Sequence, residues 1–123
     1  MLLKEIIVIK QDSFEVSIQN WATQNSIPCQ VSETSYEDVD AVVLFHENHT
    51  VSKDNKNIQL LFKEQNKFSH SIDVNGTLMA SVSSFVFWLE EHKPKQLLFI
   101  GDNNLSKNEK FDAYLNKLQT RLS

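Results

Sequence analysis

A chain of 123 residues with a single cysteine, Cys29, and a formal charge of −4 is sized for one hydrophobic core and can form no internal disulfide. The acidic balance and scattered lysines exclude the basic, aromatic-interleaved stripe of a nucleic-acid binder. No apolar run nears the ~18 residues that a membrane helix needs. Only Gly76 and Gly101 are glycine, so neither G-x-G-x-x-G nor G-x-x-x-x-G-K-[ST] can be written, and the standard phosphate cradles are absent.

The opening run, Ile6–Ile9, is short, continuous and β-branched, which predicts a strand covered on both faces. Lys4 and Glu5 interrupt any signal-peptide reading, and a cytoplasmic location is the expectation. A helix follows from Asp12 or Ser13, with Glu15 completing a capping box and Phe14, Ile18, Trp21 and Ala22 on one stripe. Pro28–Ser32 is a weaker strand. Only Glu33 to Asp40 separate it from the next strand, Ala41–Phe45, too few for a full crossover, so one helical turn around Tyr36 is expected.

The polar stretch Glu47–Asn57 reads as a surface loop, and Asp54 or Asn55 opens a helix carrying Ile58, Leu61 and Phe62. Ser69–Val74 alternates His70, Ile72 and Val74 against Ser69, Ser71 and Asp73, as an edge strand does. Ser81 begins a helix with Val82, Phe85, Val86 and Leu89 inward, and Pro94 stops it. After the strand Leu97–Ile100, Ser106 and Glu109 form a capping box for a last helix bearing Phe111, Tyr114, Leu115 and Leu118. Strand and helix alternate, so the expected fold is a three-layer α/β sandwich over residues 1–123. Its four or five strands are mainly parallel, with Ile6–Ile9, Ala41–Phe45 and Leu97–Ile100 central.

In open parallel sheets ligands bind beyond the carboxyl ends of the strands. That rule selects Gln11, Asp12, Ser13, His46, Asn75, Thr77, Gly101 and Asp102 as contacts for a small polar ligand. His46, Glu47 and His49 invite a metal reading, but strand geometry turns alternate side chains to opposite faces, and no metal is expected. Asp73-Val74-Asn75-Gly76-Thr77-Leu78 resembles the nucleophile loop of haloacid-dehalogenase-type phosphatases. Asn75 stands where that family has its general acid, and an amide cannot supply the proton. The places of a phospho-receiver's acidic pair, aspartate and lysine hold Gln11-Asp12, His46-Glu47 and Gly101-Asp102. No nucleophile–base pair is evident, Ser13 with His46 being available only if the first and third strands are neighbours.

A longer likeness runs through Asp40–Phe45, the Val82–His92 helix with its Trp88-Leu89, and Ile100-Gly101-Asp102-Asn103-Asn104-Leu105-Ser106 before the last helix. In order and spacing it resembles the Rossmann-like proteins named as molybdenum carriers, within the wider SLOG (nucleotide-sensing, lysine-decarboxylase-like) group. The resemblance implies a Rossmann-like sheet and a ligand at its carboxyl edge. Of the group's glycine-rich first loop only Gln11 is kept. Asp102-Asn103 replaces a Pro-Arg pair, a sign change worth about 4 kcal/mol to a charge ~4 Å away at a dielectric of ~20.

The expected function is therefore a non-catalytic binding module, with no cofactor identified. The alternative is protein interaction or self-association through the helix over residues 81–93. There Phe87 lies outside the apolar stripe and Trp88 on its flank.

Overall fold

A computed structural model describes residues 2–32 and 37–122. Five strands, β1 (Ile6–Val8), β2 (Cys29–Val31), β3 (Ala41–His46), β4 (Phe68–Asp73) and β5 (Leu97–Gly101), form one sheet in the order β2-β1-β5-β3-β4. Every pairing is parallel. The three continuous apolar runs are the three central strands, because only a position between two neighbours and under helices on both faces removes every side chain from water.

Four helices complete the layers: α1 (Ser13–Gln24), α2 (Lys53–Glu64), α3 (Leu78–His92) and α4 (Glu109–Leu122). One face of the sheet buries Ile6, Val8, Val43, Phe45, Leu97 and Phe99 with the apolar stripes of α1, α3 and α4. The opposite face is thinner. There Ile7, Val42, Leu44, Leu98 and Ile100 meet Val39 and the single helix α2 through Phe62 and Ile58. This asymmetry leaves the second face incompletely roofed beyond α2.

Several boundaries differ from expectation. α3 begins at Leu78 rather than Ser81, with Thr77 as its cap residue, and Leu78 packs at the margin of the core while Met79 stays exposed, so this turn lies outside the Val82–Leu89 stripe. α2 begins at Lys53, inside the stretch read as loop, because Ser52 accepts the Asn55 N–H at its Oγ. Ser106 does not cap α4. It lies in a 3-10 turn, Asn103–Lys107, and Asn108 instead accepts the Lys110 N–H. β5 separates β1 from β3, so Ser13 and His46 do not stand on neighbouring strands. The turn expected around Tyr36 lies outside the described residues.

Where β5 ends, Gly101 is packed rather than open. A methyl group built on its Cα would lie 2.6 Å from the Phe14 ring and 2.8 Å from Leu105 Cδ1. Phe14 in turn stacks on Phe111 at 5.5 Å and tilts against Phe45 at 5.8 Å. Gly101→Ala is expected to destabilise the fold by roughly 1–3 kcal/mol through overpacking, read as a lower urea midpoint at unchanged slope.

Glu15 is the odd member of α1. It is 1 % exposed, and its Oε1 has no hydrogen-bond partner. Burial pushes its carboxyl above the ordinary value, against the backbone N–H groups of Glu15 and Asp12 and the charge of Lys10, which pull it down. The folded chain thus holds this proton more tightly than the unfolded chain. Stability from this group is greatest below the ordinary carboxyl range and declines as pH rises from there through the raised value. Glu15→Gln should remove that decline and leave the protein more stable than the parent near pH 7, measured by urea unfolding across ~pH 4–8.

Candidate functional site

The carboxyl ends of the strands carry polar loops, as the alternating fold requires, but these loops bind one another. Asp102, after β5, accepts the Ser52 N–H at 3.0 Å and the Asn55 Nδ2–H at 2.8 Å, which ties it to the start of α2. Asn103 accepts the Phe14 N–H at 3.3 Å, supplying α1 with the cap that Asp12 does not make. Asn75, after β4, accepts from the Asn108 side chain at 3.1 Å. Each helix start and strand end has orphan polar groups, and here the loops satisfy them mutually.

The residues expected to bind ligand therefore divide. Gln11, Asp12 and Ser13 are exposed above β1, with Asp12 in a solvent-exposed ion pair to Lys10. Thr77 is exposed at the start of α3. Gly101 lies beneath Phe14 and Leu105, which leave its backbone no open approach on that side. Asn75 and Asp102 serve the loop network. His46 lines a cavity, and the structure does not draw the eight together.

That cavity, about 470 Å³, opens between α2 and the carboxyl ends of β3 and β4. It is lined by Leu44, His46, His49, Val51, Gln59, Ser71 and Asp73. His46 ends β3 and is buried, whereas Asp73 ends β4 and is paired with it across the sheet. The chain then turns sharply through Glu47–Thr50, closed by the Thr50 N–H on the Glu47 carbonyl at 2.8 Å. Both central residues are left-handed, Asn48 at φ 51° and His49 at φ 67°. Asn and His enter that region more readily than most residues, yet two in succession without glycine is a strained arrangement held by its surroundings. The turn places the His49 N–H on His46 Nδ1 at 3.0 Å and stacks the two rings at 5.0 Å.

The electrostatics follow from these contacts. Burial lowers the His46 pKa below its ordinary value, with His49 adding to the effect and the Asp73 carboxylate opposing it. The ring is neutral at pH 7. Its Nδ1 accepts a hydrogen bond, so its proton sits on Nε2, a donor. Desolvation raises the Asp73 pKa, but the N–H groups of Asn48 and Asn75, with help from both histidines, bring it below the ordinary carboxylate range. Gln59 donates to Ser71 Oγ at 2.9 Å and Ser69 Oγ at 3.2 Å. The wall thus offers two imidazoles, with His46 Nε2–H a donor, and a carboxylate, with no lysine or arginine.

Gln59 and Ser71 escaped the sequence reading as site residues, whereas His49 and Asp73 enter it only through the metal and phosphatase-loop readings. The signal for Asp73 was present in its place at a strand end, but Gln59 lies mid-helix, where only the packing of α2 on β4 aims it here. Among the described residues no three His, Cys, Asp or Glu side chains are grouped to hold a metal ion. The interface candidates also part. Phe87 is 65 % exposed, while Trp88 is 9 % exposed, with its ring packed against His70 and His92. No helix of the described residues is long and apolar enough to cross a membrane.

No protein-family model matches the chain, and no curated protein matches it in sequence. Among solved structures the chain is similar to one titled "Putative molybdenum carrier protein" from Syntrophus aciditrophicus SB. The TM-score is 0.78, with 14% identity over 99% of this chain and 96% of that one. What the two share is the fold, and the Rossmann-like architecture expected from the sequence resemblance is the one observed.

Truncating Asp102 tests the loop network. Asp102→Ala leaves the Ser52 N–H and the Asn55 side chain without their acceptor and should cost about 1–3 kcal/mol. Amide exchange should quicken in the first turn of α2 ahead of the rest of the sheet.

Proposed function

We propose that this chain is a Rossmann-like binding module. Its ligand is small and polar, uncharged or cationic, and sits at the carboxyl edge between β3, β4 and α2 without being chemically turned over. The observation that carries this reading is the cavity that pairs the His46 donor with the Asp73 carboxylate over an apolar floor of Leu44 and Val51. A few convergent polar groups on an otherwise apolar concavity is the usual make-up of a small-molecule site. The strained Asn48–His49 turn supports it, because such conformations concentrate at ligand clamps.

Binding without turnover is favoured by the state of the side chains. Ser71 Oγ accepts from Gln59, and His46 has its Nδ1 engaged and its proton on Nε2, so neither serves as a nucleophile or a base as arranged. A molybdenum-carrying role, taken over from the structural neighbour, fits this wall poorly. An oxyanion such as molybdate would face Asp73 with no cation to balance it, and the loops above β1 bring only Lys10, already paired with Asp12. Self-association through α3 has one observation in its favour, the exposure of Phe87, while Trp88 is engaged in packing.

The test is nuclear magnetic resonance titration of the 15N-labelled chain with xylitol, glucosamine, putrescine, sodium molybdate and inorganic phosphate. A polyol or amine is expected to shift the His46 and His49 ring resonances and the Ser71 and Asp73 amides, with the oxyanions leaving them in place. His46→Phe should weaken that binding roughly tenfold, the value of one good hydrogen bond. Molybdate binding at Gln11–Ser13, or no probe reaching the histidines, would refute the reading.

A further inference from the structure

The sheet ends at β4 on the side of α2. The Val74 N–H donates to the His46 carbonyl at 2.9 Å, and the register sets Asp73 beside His46. In a parallel ladder alternate residues turn both backbone groups toward the same neighbour. Phe68, His70 and Ile72 therefore face β3, whereas Ser69 and Ser71 present N–H and C=O outward at the end of the sheet, where no further strand follows among the described residues. Side chains sort the same way. Ser69 and Ser71 point toward α2, where Gln59 reaches them, and Phe68 and His70 point toward α3, stacking on His92 at 4.1 Å and on Phe85 at 5.3 Å.

On the α2 side the edge borders an open groove of about 510 Å³, lined among others by Lys56, Leu60, Lys63 and Lys67. The stretch from Lys53 to Lys67 holds four lysines against Asp54 and Glu64, a basic surface on a chain whose net charge is −4. On the α3 side Phe68 remains 47 % exposed. A strand laid along β4 would place alternate side chains over the lysines and over Phe68.

We propose that the β4 edge binds an extended, acidic segment of a partner protein as a sixth strand. Its carboxylates lie over Lys56 and Lys63, beside Lys67, whose ammonium donates to the Glu37 carbonyl, and its intervening apolar side chains lie over Phe68. Main-chain bonds from Ser69 and Ser71 supply the strand pairing, and the charge of the groove supplies the selectivity. A second copy of this chain is the poorer occupant. Two-fold pairing of β4 with itself would bring the lysines of both α2 helices to one face, the arrangement by which natural edges resist self-pairing.

The test uses the full-length chain and a fluorescein-labelled decapeptide of alternating glutamate and valine, with an alternating lysine–valine peptide as control. Polarisation should show saturable binding of the acidic peptide alone, weakening at least tenfold between ~0.05 M and ~0.5 M salt. Peptide should also slow amide exchange at Ser69 and Ser71. The double variant Lys56→Glu/Lys63→Glu changes only exposed residues and should lower affinity more than tenfold at unchanged thermal midpoint. Ser71→Pro removes an outward N–H without removing a ladder bond and should abolish binding. Equal binding of both peptides, or indifference to the lysine reversal, would overturn the proposal. So would concentration-dependent dimerisation protecting these same amides.

Discussion

The closure of the sheet's centre over Gly101 is the constraint from which the rest of this structure follows. In a doubly wound sheet the crevice forms where successive connections leave in opposite directions, here between β1, which turns toward β2, and β3, which turns toward β4. β5 occupies that gap, and its last residue lacks a Cβ. Phe14 and Leu105 descend into the space, and Phe45 and Phe111 complete an aromatic plug. The place where such a crevice would open is packed hydrocarbon in this chain.

Once the centre is filled, the polar loops around it have a different task. Asp102, Asn103 and Asn75 stand where ligand-binding residues are sought, yet they hold the ends of α1, α2 and the turn before α4. The scarcity of glycine and the abundance of Asn and Asp have one physical origin. A loop that must cap its neighbours needs short polar side chains, whereas a loop that must wrap a phosphate needs bare backbone. Asp102 follows this rule, since its carboxylate serves two donors of the protein itself.

Space for a ligand survives where the layers are uneven. Three helices seal one face of the sheet, but α2 alone covers the other, and beside it the ends of β3 and β4 stay accessible. The same thin cover exposes the β4 edge with its lysine-bearing groove. Cavity and edge share α2 and β4, and Gln59 bridges them through Ser69 and Ser71.

The sequence by itself determined the layers. Continuous apolar runs at Ile6, Ala41 and Leu97 can be buried only between helices, and the 3.6-residue stripes of Phe14–Ala22 and Phe111–Leu118 supply those helices. The alternation of Ser69–Val74 likewise announced an edge strand. Helix starts were less legible: Ser81 and Ser106 carry the chemistry of a cap, as do Thr77 and Asn108, and local chemistry alone does not choose between them. Only the tertiary structure decided the strand order that put β5 between β1 and β3. That order placed a packing side chain over Gly101, gave Asp102 to α2, buried Trp88 while leaving Phe87 exposed, and joined His46 to Asp73 and Gln59. Periodicity records which side of an element meets the core. Which neighbour it meets there is set by chain crossings between residues far apart, and these leave no local pattern.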